Sequence, residues 1–471
     1  MNDTLMRMMY VCVVVVGVCL LQGNMALAQT TTPPSSTAQP FIYTGAGSCA
    51  SSNCHGSVTP QSLPNIEIRQ NEHFLWLKQD KHARAYEVLH KPRSVRMAEM
   101  LQLTEGAHKS PKCLTCHALS IPQTQQGPYY QVEDGVSCEA CHGPAESWLG
   151  THITRSYKAS LQVGMYDTKN LLKRAEKCVS CHVGDAPDRH VDHAMIAAGH
   201  PDLLFELDTF TTLMPPHWRD PQKAWSGVQA WSIGQAVALR ESAKRLARRA
   251  QQHAAPGWPE FAEFDCYACH HEVRNTASTY YVRSEHGMLK AGGEWQASWR
   301  QARGYTGVAG IPAWDASQYM VFRHLVGIIA PEARSTLDQE LATLAKRMQK
   351  VAATDPQQVS EAALRVAQTV EPLIPQVAQI KFDAELIKTL LSNITADGAA
   401  LAHASIRVAE QAAMAIDTLF IAYKMHTKST DTKPIDEAIQ QLFALLEKPE
   451  HYEAQPFSRH MQTVHGFFTK Q

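Results

Sequence analysis

Five times in this chain a cysteine pair is followed at once by histidine: Cys49-Ala-Ser-Ser-Asn-Cys54-His55, Cys113-Leu-Thr-Cys116-His117, Cys138-Glu-Ala-Cys141-His142, Cys178-Val-Ser-Cys181-His182 and Cys266-Tyr-Ala-Cys269-His270. Four have the two-residue gap that attaches c-type haem, and the first has a gap of four. The grammar follows from the chemistry: two thiols add across the haem vinyl groups while the adjoining histidine presents a ring nitrogen to the iron. Ten of the 12 cysteines lie in the motifs, and Cys12 and Cys19 fall in a segment that the mature chain should lose. Zinc sites also use such cysteine pairs, but they do not require histidine directly after every second cysteine. Five covalently attached haem c groups are therefore expected.

Residues 1–28 read as a secretory signal, with Arg7 before an apolar run from Met8 to Leu21 and Ala26-Leu27-Ala28 as a cleavage site. The apolar run is shorter than the roughly 20 residues a spanning helix needs, and no stable membrane span is expected after cleavage following Ala28. Covalent haem attachment and export together predict a periplasmic or otherwise exported protein. Residues 29–42 contain a Thr, Pro and Ser tract that reads as a flexible linker. A formal net charge of -1 gives no bulk attraction to nucleic acid.

Cysteine distribution divides the remainder into a pentahaem domain at 43–300 and a haem-free helical domain at 301–471. The fold class expected is mainly α: a haem-dominated multihaem cytochrome c domain with short helices and long loops, followed by an antiparallel helical bundle. Motif starts are separated by 64, 25, 40 and 88 residues, short segments for enclosing a porphyrin each. Helical spacing of apolar residues predicts helices over Asn71 to Leu89, carrying His82, and over Val228 to Ala250, with Arg240, Lys244, Arg245 and Arg248 on a polar face. In the bundle, the pattern gives helices over Gln318 to Ala330, Ala333 to Ala352, Val359 to Val370, Phe382 to Leu391, Leu401 to Met425 and Ile435 to Leu446.

The position opposite each motif histidine decides the chemistry. A second histidine makes an electron-transfer centre, whereas an open face can bind a small substrate. His200, in Ala-Ala-Gly-His-Pro, and His271, directly after His270, are candidates against capping or surface roles. His190, His193 and His217 rank below them, and Met214 is a possible thioether ligand set against simple packing.

The first 200 residues of the mature region resemble the cytochrome c-554 family, tetrahaem carriers that accept electrons from hydroxylamine oxidoreductase. The stretches that carry the resemblance are Lys81 to Leu89, Cys113 to His117, Gly135-Val-Ser-Cys-Glu-Ala-Cys-His-Gly-Pro144 with His152 downstream, and Cys178 to His182. The resemblance implies that His82 reaches the third haem and His152 the first. It also implies that the haem on His117 lacks a side-chain ligand on its far face. The fifth motif and the helical extension lie outside a tetrahaem carrier.

The leading expectation is an electron carrier between redox proteins, such as other cytochromes or a periplasmic oxidoreductase. The alternative is a multihaem oxidoreductase acting on a small nitrogen or sulfur compound at a five-coordinate haem on His117. A third reading makes the helical half a docking module for a partner.

Overall fold

The computed structural model describes residues 41–61, 68–186, 189–218, 225–252, 258–266, 282–284, 287–289, 313–348, 355–429 and 431–469. The signal segment, most of the linker, and Cys269, His270 and His271 lie outside them. Residues 42–471 form one compact unit, and the description below concerns that unit.

The cysteine-rich segment is built from short helices and turns. A helix does begin at Glu72, but it ends at Gln79 and not at Leu89. Asp80 takes an extended conformation and its carboxylate accepts a hydrogen bond from the His82 backbone N–H. A side chain that competes for backbone donors in this way ends a helix that apolar spacing alone would continue. His82 consequently sits in a 3-10 turn, Lys81–Arg84, and Pro92 opens the next helix, Pro92–Met100. Only a small apolar cluster, Tyr86, Leu89, Ala98, Ala107 and Ala118, is buried around this part of the chain.

The fourth motif is anchored differently. Its helix, Leu171–Val179, has Asn170 as N-cap and fully buries Ala175 and Val179 in the main core. One π-turn, Ser180–Gly184, then carries Cys181 and His182. Such wide turns inside helices recur at functional sites.

The long helix Ser226–Gln251 matches the expected element closely. It packs against Pro356–Val370, Leu373–Ala378 and Ile406–Thr427, so a helix from the 43–300 segment is surrounded by helices of the 301–471 segment. That enclosure changes its polar face. Arg240, expected on a solvated stripe, is 6% exposed and is bonded to Glu176, Glu241 and Glu371. The Gln235 Nε2 donates to Gln411 Oε1 at 2.8 Å, and Gln411 Nε2 donates to the Phe205 carbonyl at 3.0 Å. These bonds satisfy polar atoms that would be costly to bury alone.

The remaining helices are mostly those that periodicity indicates. Ser405 divides the expected 401–425 run into Gly398–Ala404 and Ile406–Thr427, because its hydroxyl accepts from the Val408 N–H as an N-cap. A final helix, Ala454–Thr469, was not among those expected. It buries Phe457, Met461, Val464 and Phe468 on one face. Gly398 lets this helix approach, since a Cβ there would stand 2.6 Å from the Met461 Cβ. Consecutive helices also pack side by side, Pro331–Met348 on Pro356–Val370 and Lys433–Leu446 on Ala454–Thr469, as in a bundle. Two short strands, Val282–Ser284 and Gly287–Leu289, pair antiparallel.

Candidate functional site

Two motifs are complete helical turns. Pro111–His117 carries Cys113, Cys116 and His117, and Cys138–His142 carries Cys138, Cys141 and His142. Residues at i, i+3 and i+4 share a helix face, which is the arrangement that two thiols and an imidazole need to meet one macrocycle. The first motif reaches a comparable result through a turn: the His55 N–H donates to the Cys49 carbonyl at 3.2 Å, bringing the histidine back beside the first cysteine. The nine described cysteines are all free of disulfides.

Distant motifs are brought together in twos. Cys138 is the main influence lowering the Cys49 thiol, and Cys116 the main influence lowering the Cys181 thiol, so the thiols of motifs one and three, and of two and four, are neighbours.

Glu139, inside the third motif, builds the first of these junctions. It is 2% exposed, and its carboxylate accepts from the backbone N–H of Thr44 at 2.9 Å, Gly45 at 2.7 Å and Ala145 at 2.6 Å. One side chain thereby ties the strand of chain before Cys49 to the turn after His142. Gly135, at φ 65, lets the loop before the motif pass His82, where a Cβ would lie 2.7 Å from the His82 carbonyl oxygen.

The histidines are arranged in opposed rings. His55 and His152 have ring centres 6.2 Å apart and planes 12° apart. His82 and His182 are 6.1 Å apart at 89°, and His117 and His200 are 6.3 Å apart at 86°. Two imidazoles that each place one nitrogen about 2.0 Å from a shared metal hold their ring centres roughly 6 Å apart. The three separations meet that spacing.

Hydrogen bonds fix which nitrogen faces inward. Nδ1 of His55 is 2.9 Å from Glu72 Oε2, and Nδ1 of His82 is 2.9 Å from Asp80 Oδ1. The Nδ1 of His117, His152 and His200 lies 2.9, 2.5 and 2.7 Å from the carbonyl oxygens of Ala85, Leu149 and Pro201. An Nδ1–H donated to an acceptor leaves Nε2 as the free lone pair, the tautomer an iron requires. His182 instead packs its ring on Phe205 at 5.1 Å and Phe210 at 5.3 Å. Burial pushes its pKa, and that of His142, down to about 4, so both rings are neutral. After burial, His217 is the strongest electrostatic neighbour opposing protonation of His142.

Two ligand assignments implied by the family resemblance do not match these positions. His82 faces His182 of the fourth motif, not His142 of the third. His117 has His200 opposite it, where the resemblance implies no side chain. The reason is local in both cases: Asp80 turns His82 away from a continuous helix, and the Ala198-Gly199 turn after His193–Ala197 delivers His200. His152 does stand opposite His55, as the resemblance implies. Among the described residues no group of three His, Cys, Asp or Glu side chains forms a metal cage. The donor set thus fits haem, with paired rings and paired thiols.

Comparison with known proteins adds one match. Residues 49–143 match the family described as cytochrome c554 and c-prime. The chain resembles the cytochrome c-554 family. The matched stretch runs from the first cysteine of the first motif to the residue after His142, and so covers less than half of the chain. It supports a multihaem c-type cytochrome in electron transfer, with covalently bound haem c. No curated protein and no solved structure matches. Glu72 and Asp80 carry no sequence signal beyond being acidic residues in a segment that otherwise carries ligands, whereas Glu139 stands inside the Gly135 to Pro144 run by which the chain resembles the family.

Proposed function

We propose that this chain is an exported, pentahaem c-type cytochrome that passes electrons between redox proteins of the periplasm or its equivalent. The observation that carries the reading is the set of three opposed imidazole pairs at 6.1 to 6.3 Å, the His117 and His200 pair among them. Haem iron supplies one-electron chemistry when bound, and two histidine ligands leave it no face for a substrate. His55, His117, His142, His182 and His270 serve as the motif-side ligands in this reading, and His152, His200 and His82 close the first, second and fourth sites. Cys49 with Cys54, Cys113 with Cys116, Cys138 with Cys141, Cys178 with Cys181 and Cys266 with Cys269 hold the macrocycles.

The remaining work of the chain is orientation. Carboxylates of Glu72 and Asp80 make the rings of His55 and His82 better electron donors than the carbonyl-bonded rings, which favours the ferric state at those sites. The nearness of the first and third, and of the second and fourth, attachment points supports short electron steps within each couple. No helix among the described residues is long and apolar enough to cross a membrane.

Catalysis on a small nitrogen or sulfur compound needs an iron with an open face, and the position of His200 counts against the His117 site. The deciding experiment is spectroscopy of the purified ferric protein together with its intact mass. Five haems by mass are expected, with low-spin signals from the haems on His55, His117 and His182 that do not change with cyanide or nitric oxide. A high-spin, ligand-binding haem on His117 in the unmodified protein overturns the carrier reading.

A further inference from the structure

Residues 155–177 concentrate charge that the chain as a whole lacks. Against a formal net charge of -1 for the protein, this stretch holds six cations, Arg155, Lys158, Lys169, Lys173, Arg174 and Lys177, and two carboxylates, Asp167 and Glu176. Both carboxylates are engaged within the fold. Asp167 accepts from the Tyr157 hydroxyl at 2.8 Å and the Asn170 N–H at 3.2 Å, and Glu176 accepts from buried Arg240 at 2.9 Å. Arg155, Lys158, Lys169 and Lys173 are exposed. Lys158, Lys173 and Lys177 make no ion pair among the described residues.

Two tyrosines organise these cations. The Lys169 Nζ stands 4.6 Å from the centre of the Tyr157 ring, and the Nζ of Lys177 and Lys173 stand 4.5 and 5.9 Å from the centre of the Tyr166 ring. An ammonium over an aromatic face is held in place without being neutralised as a carboxylate would neutralise it. Ile153 and Val163 add exposed apolar side chains in the same part of the chain. Apolar side chains among polar ones are what a docking patch presents.

The patch adjoins two attachment sites. The Tyr166 N–H donates to the His142 carbonyl at 2.8 Å, and its hydroxyl donates to the Lys173 carbonyl at 2.8 Å. One residue thus joins the end of the third motif to the helix Leu171–Val179, which carries Cys178. The other cation-rich stretch, 91–112, is engaged in internal bonds: Lys91 with Glu87 at 3.1 Å, Lys112 with Asp192 at 2.5 Å, and Arg93 with the Gly199 carbonyl at 2.9 Å.

We propose that residues 155–177 form the docking surface for a redox protein that presents carboxylates around its own cofactor. Single electrons cross there between that cofactor and the third and fourth haems, one centre being reduced as the other is oxidised. Charge complementarity orients such a partner and raises the encounter rate by about 10 to 1,000-fold. The inference rests on the carrier reading given above.

Three full-length holoproteins test it: the unmodified chain, a patch variant with Lys158→Glu, Lys169→Glu and Lys173→Glu, and a control with Lys346→Glu, Lys381→Glu and Lys433→Glu. All six lysines are exposed, and both variants change net charge equally. The probes are ferricyanide, a trianionic oxidant, tris(phenanthroline)cobalt(III), a tricationic one, and poly-glutamate, an acidic polypeptide without redox chemistry. Reduced protein is oxidised in stopped flow at about 0.1 M ionic strength, where a Debye length of about 10 Å confines each charge to its surroundings. Ferricyanide should oxidise the patch variant at least about fivefold more slowly than the control, and the cobalt complex should oxidise it faster than the control. Poly-glutamate should slow ferricyanide oxidation of the unmodified chain and the control and leave the patch variant unaffected. Equal rates in the two variants, no inhibition of the unmodified chain, or equal inhibition of all three overturns the docking assignment and leaves the carrier reading standing. The poly-glutamate measurement on the unmodified chain needs no substitution and decides the question if the patch variant loses haem. An unmodified chain without haem at the third and fourth motifs, counted by intact mass, overturns both.

Discussion

The segment carrying the first three motifs and the helical region that follows are held together by different forces. In the first, positions are set by polar atoms aimed at specific partners: Glu139 on three backbone N–H groups, and ring nitrogens on Glu72, Asp80 and carbonyl oxygens. Its protein-only apolar cluster has five residues. In the second, a continuous core running from Ala175 to Phe468 buries Trp231, Phe322, Phe420 and Phe457 almost completely. A region built to hold rings at a fixed separation needs directional bonds. A region built for bulk stability uses apolar area, each large side chain contributing about 1.5 to 3 kcal/mol.

The sharpest way to break this comparison is to remove one ring. His200→Ala is expected to convert one iron of five to a high-spin, cyanide-binding form while the helical region melts as before, because His200 lies outside the apolar core. Electron paramagnetic resonance and circular dichroism on the same sample check it. An unaltered low-spin spectrum would mean that the ring opposite His117 is not its ligand.

A second test reverses the target. Glu263, three residues before Cys266, is bonded to Arg245 and Arg249 of the long helix. Burial pushes its carboxyl up, but the two guanidinium groups outweigh burial and hold it at about 2. The folded chain therefore binds that proton less readily than the unfolded chain, whose carboxyl titrates near 4.3. Stability from this site is fully present above about pH 5 and is lost as pH falls from about 4 toward 2. Glu263→Gln should cost about 3 to 5 kcal/mol at neutral pH by leaving two buried guanidiniums undercompensated. It should also flatten the acid limb of a thermal-stability profile, and an unchanged limb would remove Glu263 as its cause.

Gly398→Ala probes the apolar region without touching charge. The added methyl meets Met461, and overpacking of this kind costs about 1 to 3 kcal/mol. Chemical denaturation should show a lower midpoint with the haem spectrum unaltered. Loss of low-spin character would show that the two regions share more than a boundary.

How much of this was legible in the sequence follows from how local each requirement is. Haem attachment needs two thiols and a ring within one turn, so the motifs are written in adjacent letters and the haem-binding reading came directly from them. The rings opposite come from elsewhere: His200 reaches His117, and His82 reaches His182, across long stretches of chain. No spacing rule encodes that meeting. The helix expected over Asn71 to Leu89 failed at Asp80, where a side chain captures the His82 N–H, a choice that apolar periodicity does not contain. The polar face expected for Arg240 failed because helices from the C-terminal region cover it. The Ala454–Thr469 helix did carry its signal in Phe457, Met461, Val464 and Phe468, a spacing the sequence reading passed over.

The smallest expected effect sharpens the contrast most, because it separates orientation from structure. Glu139→Gln keeps the side-chain shape but exchanges a charged acceptor for a neutral amide, half of which donates. Three backbone N–H groups then compete for one oxygen, and hydrogen bonds to a charged group are worth about 1.5 to 3 kcal/mol against about 1 for a neutral one. The loss should stay local, as faster hydrogen exchange at Thr44, Gly45 and Ala145 with no change across 384–396. Because Glu139 lies between Cys138 and Cys141, the same variant should broaden the spectrum of the first and third haems while all five remain attached. A fall in global melting temperature equal to that of Gly398→Ala would show instead that the cysteine-rich segment and the helical core unfold as one, and that directional bonds in the first are as much a part of overall stability as apolar area in the second.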